Sequence, residues 1–320
     1  MKQYKVFIDG EAGTTGLQLS TRLATHPHLT LISLGETKRK DKTARLKAMA
    51  EADMVVLCLP DEAAIEAVAM AEAAGVTCPI LDASTAHRCH KDWVYGFAEL
   101  TKGGTQRQKI AHAKRIANTG CYAVGMIALT RPLLDAGMLT ADTPLAFTAL
   151  SGYSGGGKNL IATMEAKPRA IPSHFAYALT HTHKHMAEVV RHSGLTHQPH
   201  FTPMVGDFYQ GMLVVLPLPK SKVDAGMTIY KALDAHYADS VFIRVHTANA
   251  TKPFTSGDYL GVADVVDTNY LDIHVFTGEA GVTLIARLDN LGKGAALAAV
   301  QNINLVLGLG ETTALLDGKN

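Results

Sequence analysis

Short apolar runs alternate with helical stretches over the first 120 residues, and this alternation limits the fold more than any other feature of the chain. Strands that alternate with helices of this length indicate βαβ units and therefore a parallel sheet. The runs are continuously apolar, as expected for strands that are buried on both faces. The sequence predicts strands at Lys5–Asp9, Thr30–Leu34, Met54–Leu59 and Pro79–Asp82, and helices at Thr14–Ala24, Lys42–Ala52 and Glu62–Ala74.

The pattern changes from about Leu145, where longer polar and glycine-rich loops such as Ser151–Gly157 appear. A chain of 320 residues suggests two domains at roughly 150 residues each. Because the pattern changes here, we expect the second to be an α+β domain with a mixed or antiparallel sheet. Its predicted elements are strands Gly211–Leu218 and Val241–His246 and a helix Asp224–Tyr237. We predict that the first domain comprises residues 1–120 and the second comprises residues 121–293. The segment of about 294–320, with a last helix at Gly294–Leu307, is expected to pack back on the first domain. We expect Asp317–Asn320 to be frayed.

Composition excludes several classes of protein. The chain has 30 basic and 29 acidic side chains, and this balance argues against a nucleic-acid partner held by bulk electrostatics. No apolar stretch approaches the roughly 18 residues of a membrane span, and the N-terminus lacks the apolar region of a signal peptide. The four cysteines are too few and too scattered for a disulfide framework, so we expect a cytoplasmic protein.

A glycine loop follows the first predicted strand directly and precedes a predicted helix. Glycines in this place allow a tight turn and let backbone N–H groups approach a pyrophosphate at the helix N-terminus. The spacing is G-x-x-G-x-x-G rather than G-x-G-x-x-G, so a plain strand-to-helix turn is the alternative. We interpret the loop as the cofactor site of a Rossmann-like nucleotide-binding domain. The predicted cofactor-binding residues of the loop are Gly10, Gly13, Thr14, Thr15 and Gly16.

The loop after the second predicted strand carries conflicting signals for the choice of cofactor. Glu36 lies where an acid would bind the ribose hydroxyls of NAD. Lys38, Arg39 and Lys40 follow at once, and cations there would suit the 2′-phosphate of NADP. The alternative is an exposed loop that is basic without function. We predict NADP, bound in part by these three cations.

Cys121 differs from the other cysteines in its predicted surroundings. Cys58 and Cys78 lie in or beside predicted strands and are typical of small core residues, and Cys89 is placed in a surface loop. Cys121 precedes the helical run Ala123–Leu134, and a helix N-terminus lowers the pKa of a thiol. Cys121 is therefore a candidate nucleophile, with a buried structural thiol as the alternative.

Histidines alternate along the segment Tyr177–Glu188, which would turn His181, His183 and His185 to one side of a strand. Three such imidazoles could bind Zn²⁺. They could also supply a general base for Cys121. A polar surface segment is the third interpretation, and spacing alone does not choose among the three.

Several segments together are similar to a known family, the shorter type of N-acetyl-γ-glutamyl-phosphate reductase, whose wider relatives are the semialdehyde dehydrogenases. The similarity extends over nearly the whole chain, and its most characteristic part is Ser151–Lys158. The other segments that carry it are Gly10–Gly16, Asp82–Arg88, Trp93–Leu100, Asn118–Tyr122, Tyr177–Glu188 and Asp289–Ala296.

The resemblance implies NADPH-dependent reduction of an acyl phosphate to an aldehyde through a cysteine thioester, with release of phosphate, in arginine biosynthesis. Cys121 matches the family's nucleophile, and His183 matches the first histidine of its His-Arg-His-x-Pro-Glu stretch, the acid/base. Lys184 and Ala187 depart from that stretch, so His181 competes for the role. The same alignment implies substrate contacts from Tyr177, His185 and Glu188.

The remaining predicted contacts concern the phosphate and the nicotinamide. Ser84 and Arg88 follow a strand end and are placed to hold the leaving phosphate, with Lys158 as a second candidate. Asn302, in the last helix, would meet the nicotinamide amide. The family also implies a homo-oligomer, a dimer or tetramer, with a second domain that serves catalysis and dimerisation. The alternatives are aspartate-semialdehyde dehydrogenase, a histidine-based zinc hydrolase and a non-catalytic NADPH-binding protein.

Overall fold

The computed structural model describes residues 2–220, 226–251, 254 and 257–316, and the chain divides into two compact units. The first unit comprises Met1–Ala98, Thr105–Thr119 and Ala295–Asn320, and the second comprises Glu99–Gly104 and Gly120–Gly294. The predicted frayed tail, Asp317–Asn320, lies outside the described residues, as does the predicted helix start at Asp224.

The first unit contains, in its described part, a six-stranded sheet in the order β2-β1-β3-β4-β6-β5, in which the pairings are parallel. The predicted α/β, Rossmann-like fold class is therefore confirmed. The central strand β3 is buried at all four positions, as its continuous apolar sequence requires. The strands are β1 (Tyr4–Asp9), β2 (Leu29–Ile32), β3 (Met54–Leu57), β4 (Ile80–Asp82), β5 (Val94–Tyr95) and β6 (Arg115–Ala117).

The α-helices of the first unit alternate with its strands along the chain, and the last helix follows them. This last helix packs against α1 and α5, and it begins after a π-helical turn, Gly292–Ala296, rather than at Gly294 as predicted. The helices are α1 (Thr14–Ala24), α2 (Gly35–Lys38), α3 (Lys42–Glu51), α4 (Asp61–Ala73), α5 (Thr105–Ala111) and α10 (Leu297–Val306).

The second unit contains a mixed sheet, in which seven strands are described in the order β11-β12-β13-β10-β7-β9-β8. The β11–β12 and β7–β9 pairings are parallel and the other described pairings are antiparallel, so the predicted mixed sheet is confirmed. The strands are β7 (Ala146–Gly152), β8 (Phe175–Ala176), β9 (His200–Gly206), β10 (Met212–Pro219), β11 (Ile243–Val245), β12 (Leu271–Gly278) and β13 (Gly281–Leu288). The helices are α6 (Cys121–Asp135), α7 (Gly157–Glu165), α8 (Met186–Ser193) and α9 (Gly226–Tyr237).

Helix α6 is the central helix of the second unit, packed against α8, α9, β10 and β13. It contains Pro132, which has no N–H to donate to the carbonyl of Ala128 four residues earlier. The hydroxyl of Tyr237 in α9 donates to that carbonyl at 2.9 Å and replaces the missing bond. The proline is thus accommodated in a buried helix.

Side chains alternate across the second sheet. The residues of the helix-covered face are buried, whereas Leu150, Leu213, Val215 and Ile285 on the other face are only partly buried. Leu213 lies opposite Leu150, and Val215 lies opposite Ile285, so the four form a contiguous apolar patch across β7, β10 and β13.

Within the described ranges, no helix combines the length and the apolar character needed to cross a membrane.

Candidate active site

Cys121 is the first residue of α6, with Gly120 as the N-cap in extended conformation. The N–H of Gly120 donates to Oε2 of Glu188 at 3.2 Å, and Glu188 is only 2% exposed. Cys121 is partly exposed, and backbone N–H groups at a helix start favour a negative charge. The other thiols differ: burial raises the pKa of Cys58 to about 12 and also raises that of Cys78. Cys89 is partly buried in a loop.

The histidine segment does not form the strand that its alternation suggested. Just before it, Phe175–Ala176 pairs with β9, but the residues from 177 to 185 are irregular, with two turns and a bend. Ala178 and His181 have positive φ angles of 49° and 59°, which interrupt any extended strand. The three histidines therefore do not project to one side. His181 is exposed and contacts the ring of His200, with centroids 4.4 Å apart.

His183 is held in one tautomer by its hydrogen bonds. Its Nδ1 accepts from the backbone N–H of His185 at 3.1 Å, so in the neutral ring the proton lies on Nε2. Nε2 lies 3.2 Å from the hydroxyl of Tyr177. Burial lowers the pKa of His183 to about 4, and the nearby charge of Lys184 contributes in the same direction. His183 is therefore a neutral N–H donor at neutral pH.

Tyr177 and the residue after the cysteine both contact His183. Burial raises the pKa of Tyr177 to about 12, and the negative charge of a Cys121 thiolate contributes in the same direction. The ring of Tyr122, the residue after Cys121, packs edge-on against His183 with centroids 5.3 Å apart. The second unit thus brings the predicted residues Cys121, Tyr177 and His183 together. Tyr122 was missed by the sequence analysis, which contains no signal for it beyond its neighbour.

The substrate residues predicted around this group lie at different depths. His185 is 5% exposed and Glu188 is buried against Gly120, whereas Lys158 is exposed in the first turn of α7. The characteristic segment that contains Lys158 is anchored by Ser154, whose hydroxyl accepts from Nδ2 of Asn290 at 3.0 Å.

In the first unit, the glycine loop has the shape of a nucleotide cradle. Gly10 has a φ of +92°, and a Cβ there would lie 2.3 Å from the carbonyl oxygen of Cys58. A Cβ on Gly16 would lie 2.4 Å from the carbonyl oxygen of Gly10, and Gly13 caps α1 without a side chain. Side chains are excluded at Gly10 and Gly16, so a pyrophosphate could approach the N–H groups at Thr14 and Thr15.

A cavity of 240 Å³ lies beside this loop, and its lining includes Gly10, Glu11, Leu34, Glu36 and Arg39. Residues 35–38 form the short helix α2, with Arg39 as its C-cap. All three predicted cations are exposed, and of them Arg39 lines the cavity, whereas Lys38 and Lys40 do not. The residues present therefore fit the adenosine portion of a dinucleotide, with one cation for a 2′-phosphate.

The carboxyl end of β4 carries a buried polar cluster. Asp82 accepts from the hydroxyl of Ser84 at 2.7 Å and lies 2.6 Å from Nδ1 of His87, whose ring stacks on Trp93. Arg88 is 8% exposed and donates to the carbonyl of Ala83 at 3.2 Å. In open α/β sheets, ligands bind at this edge. The hydroxyl of Ser84 thus donates its proton to Asp82, a hydrogen bond that the sequence did not predict.

Asn302 is fully buried in α10 and is fixed by its amide nitrogen. Nδ2 donates to the carbonyl of Gly96 at 2.9 Å and to Oδ1 of Asn118 at 3.0 Å. Its own Oδ1 has no hydrogen-bond partner among the described atoms. A buried acceptor without a donor is costly, so this oxygen fits the carboxamide NH₂ of a nicotinamide.

The fold is that of the semialdehyde dehydrogenase class. The family model for the semialdehyde dehydrogenase NAD binding domain matches residues 5–108, and the model for the dimerisation domain matches residues 121–290. The chain belongs, within this class, to the family of N-acetyl-gamma-glutamyl-phosphate reductases. The reductase of Trichormus variabilis is 44% identical over 98% of this chain and 100% of its own length. That of Brucella suis is 46% identical over 95% of this chain and 99% of its own.

Solved structures of more distant proteins share the fold. Aspartate semialdehyde dehydrogenase from Francisella tularensis has a TM-score of 0.68 at 14% identity, covering 94% of this chain and 99% of its own. The enzyme from Candida albicans, solved with NADP, has a TM-score of 0.64 at 14% identity, covering 96% and 99%.

The alternative of a zinc site on the histidine segment is not supported. Among the described residues, one group of three side chains brings potential ligand atoms within 4.8 Å of one another, and it comprises His246, Asp272 and His274. The rings of His246 and His274 are stacked, 4.4 Å apart and 7° from parallel. A metal must lie near the plane of each imidazole that binds it, and two stacked parallel rings share no such point. Arg244 and Arg287 also hold the carboxylate of Asp272, both at 2.6 Å.

This cluster instead keeps a histidine buried and neutral. His274 is 1% exposed, and neither ring nitrogen has a hydrogen-bond partner among the described atoms. Burial lowers its pKa from 6.5 to about 3, and the neighbouring His246 contributes in the same direction. Between these two values the unfolded chain binds a proton that the folded chain does not. The contribution of His274 to stability is therefore complete above pH 6.5 and is lost as the pH falls towards 3.

We predict that the His274→Leu variant loses less unfolding free energy than the unmodified protein when the pH is lowered from about 7 to about 5. The expected difference is about 2 kcal/mol, because the substitution removes the proton-binding difference. Urea titrations at the two pH values measure it. His197→Leu, at an exposed histidine, is the matched control and should behave like the unmodified protein. Equal pH-dependent losses in all three proteins would contradict the prediction.

Proposed function

We propose that the chain reduces N-acetyl-glutamyl 5-phosphate to N-acetyl-glutamate 5-semialdehyde with NADPH and releases phosphate, in arginine biosynthesis in the cytoplasm. The observation that carries this proposal is the placement of Cys121 at the start of the buried helix α6, where the ring of the next residue, Tyr122, packs edge-on against His183. His183 lies in turn within hydrogen-bond distance of Tyr177. The names of relatives that match almost the whole chain support the choice of substrate.

The first step uses Cys121 as the nucleophile. Its thiolate sulfur forms a bond to the acyl carbon, the bond from that carbon to the phosphate oxygen breaks, and a thioester remains on the enzyme. Bound NADPH supplies the hydride that reduces this thioester. The carbon–sulfur bond then breaks, which releases the aldehyde and regenerates the thiolate. The overall reaction consumes one proton, which the departing phosphate takes up.

We assign the acid/base position to His183, where the neutral imidazole acts on the oxygen of each tetrahedral stage as a hydrogen-bond donor. In its neutral form it presents an N–H at Nε2, and Tyr177 lies within hydrogen-bond distance of that nitrogen. An oxyanion donor contributes about 3–4 kcal/mol in measured cases. The low pKa suits this role, since the donor stays neutral while the negative charge forms. To accept a proton at Nδ1, His183 must first release the N–H of His185.

Binding of the acyl phosphate is assigned to the polar residues that the sequence singled out. Arg88, at the carboxyl edge of the first sheet, offers a guanidinium to the phosphate. Ser84 is a further contact if its hydroxyl turns from Asp82 to donate to a phosphate oxygen. The remaining predicted residues are assigned to the rest of the substrate; these are Tyr177, His185, Glu188 and Lys158. Glu188 also holds the start of α6, because its carboxylate accepts a hydrogen bond from the N–H of Gly120.

The cofactor is assigned to the first unit and specifically as NADP. Gly10, Gly13 and Gly16 leave room for the pyrophosphate, and Thr14 and Thr15 provide the N–H groups. The unpaired oxygen of Asn302 would accept from the nicotinamide amide. Arg39 in the cavity wall favours a 2′-phosphate, with Lys38 and Lys40 as outer charges; these two do not line the cavity and contribute less.

We assign the nucleotide-binding domain to residues 1–120 with about 294–320, and the catalytic and dimerisation domain to residues 121–293. The family model that matches the second of these is a dimerisation domain. The apolar patch of Leu150, Leu213, Val215 and Ile285 supports a second copy of the chain as its partner. We propose a dimer, or a tetramer built from dimers.

We predict that the enzyme, given N-acetylglutamate semialdehyde, phosphate and NADP⁺, forms NADPH, measured by absorbance. Cys121→Ser should lose turnover by several orders of magnitude with little change in NADPH affinity, because a hydroxyl is a poor nucleophile at neutral pH. Cys58→Ser, at a thiol whose pKa is raised by burial, is the matched control and should remain active. Near-normal turnover by Cys121→Ser would exclude the thioester mechanism. A preference of the unmodified enzyme for aspartate semialdehyde would exclude N-acetylglutamate semialdehyde as its substrate.

Two asparagine variants separate the candidate acid/base residues, His183 and His181. His183→Asn should lower kcat by about 10²–10⁴-fold with a smaller change in KM, because the group acts in the transition state. His181→Asn, at an exposed residue, should stay near the unmodified rate. Since the pKa of His183 is about 4, its neutral form persists under mildly acidic conditions, so protonation of this group should not lower kcat there. Greater damage from His181→Asn would reverse the assignment.

The cofactor assignment predicts that Arg39→Ala raises the KM for NADPH and leaves the weaker NADH reaction nearly unchanged. Hydrogen bonds to charged groups contribute about 1.5–3 kcal/mol, so the increase should be roughly 10- to 100-fold. Lys40→Ala, next in the chain but outside the cavity wall, should have a smaller effect. A native preference for NADH would overturn the assignment to NADP.

A further inference from the structure

Gly294 makes an unusually close contact with the candidate nucleophile. A Cβ built on Gly294 would lie 2.6 Å from the Cβ of Cys121 and 3.1 Å from its Cα, which is closer than side-chain atoms pack. The φ angle of Gly294 is not in the left-handed region, so the backbone conformation does not demand glycine. The absence of a side chain is required by the approach of Cys121, with a lesser contact of 3.2 Å to the carbonyl oxygen of Asp289.

The turn that carries Gly294 is held in place and cannot easily move away. Gly294 lies in the π-helical turn Gly292–Ala296, and its N–H donates to the carbonyl of Asp289 at 2.9 Å. The carboxylate of Asp289 accepts from Nε2 of Gln210 at 2.6 Å and from the N–H of Leu291 at 2.9 Å. Single π-turns inside helical segments are frequent at functional sites.

Lys293, the residue before Gly294, fixes the turn from its other side. Its Nζ lies 2.9 Å from both carboxylate oxygens of Glu99, and both residues are at most 2% exposed. A buried ion pair with two hydrogen bonds opposes displacement, because separating the charges leaves each without compensation. The backbone at Gly294 is therefore a rigid surface against which Cys121 rests.

We propose that Gly294 is a positioning residue that determines where the sulfur of Cys121 lies relative to Tyr177 and His183. The inference depends on the proposed function, in which Cys121 is the nucleophile. On one side, the N–H of Gly120 is bound by Glu188. On the other, the Cβ of Cys121 faces the backbone of Gly294 at a distance that leaves no room for a side chain. A methyl group on Gly294 would push the cysteine from its position while leaving every reacting group present.

The first test is the kinetics of Gly294→Ala in the full-length enzyme. A displacement of about 1 Å at a reacting atom costs roughly 100-fold in rate, so kcat should fall by about that factor. The affinity for NADPH should not change, and the rate of Cys121 alkylation by iodoacetamide should change with kcat. Gly261→Ala is the matched control, because a Cβ there meets no described atom within 4 Å. Unchanged kcat and alkylation in Gly294→Ala would overturn the proposal.

A double-mutant cycle tests the contact itself and needs no activity. If the added methyl group clashes with the Cβ of Cys121, Gly294→Ala should lower Tm in the native background but have little effect in a Cys121→Gly background. Should Gly294→Ala fail to fold, recovery of folding in the double variant would support the contact. An equal loss of Tm in both backgrounds would show that the turn rejects a side chain by itself, and would overturn the proposal.

The two proposals fail in different ways. Full activity of Cys121→Ala would exclude Cys121 as the nucleophile, whatever the cycle shows about the contact. Loss of activity in Cys121→Ala, together with a native-like Gly294→Ala variant, would leave the nucleophile in place and exclude the positioning role of Gly294.

Discussion

The burial of α6 is the constraint on which the candidate active site depends. This helix packs against the second sheet and two other helices, and its first residue is Cys121. Because its apolar length has no broad polar face to turn towards water, the helix is buried almost throughout from Tyr122 to Leu133, and its N-terminus lies within the second unit. There the N–H of Gly120 donates to the carboxylate of Glu188, and Tyr122 packs against His183. The chemistry at the end of the helix is thus a consequence of hydrophobic packing along its length.

Much of the first unit could be predicted from the sequence because its signals are local. The apolar runs indicate the parallel strands, and the predicted helix Thr14–Ala24 has the same bounds in the structure. The glycine loop is local as a motif, but the close approach that excludes a side chain at Gly10 comes from the carbonyl of Cys58, which is distant in the sequence. The cations after β2 were predicted as a set of three, but of the three Arg39 alone lines the described cavity.

The candidate site in the second unit was predicted by residue type but not by geometry. Cys121 and His183 were singled out, yet the alternation around His183 suggested a strand where the chain makes turns. The tautomer of His183 depends on one backbone N–H, and no periodic pattern reports such a bond. The contact between Gly294 and Cys121 joins residues that are far apart in the chain. Single-sequence patterns describe neighbours along the chain, whereas these features arise from tertiary approach.

Pro132 has a further consequence for the dynamics of the second unit. The carbonyl of Ala128 depends on the hydroxyl of Tyr237, so α6 cannot separate from α9 without leaving a buried acceptor that has lost its donor. The two helices therefore open together as one cooperative unit rather than fraying independently. Amide protons in the middle of α6 should exchange with solvent at the same slow rate as those of α9. The proline, which would break an isolated helix, here couples the helix of the cysteine to its neighbour.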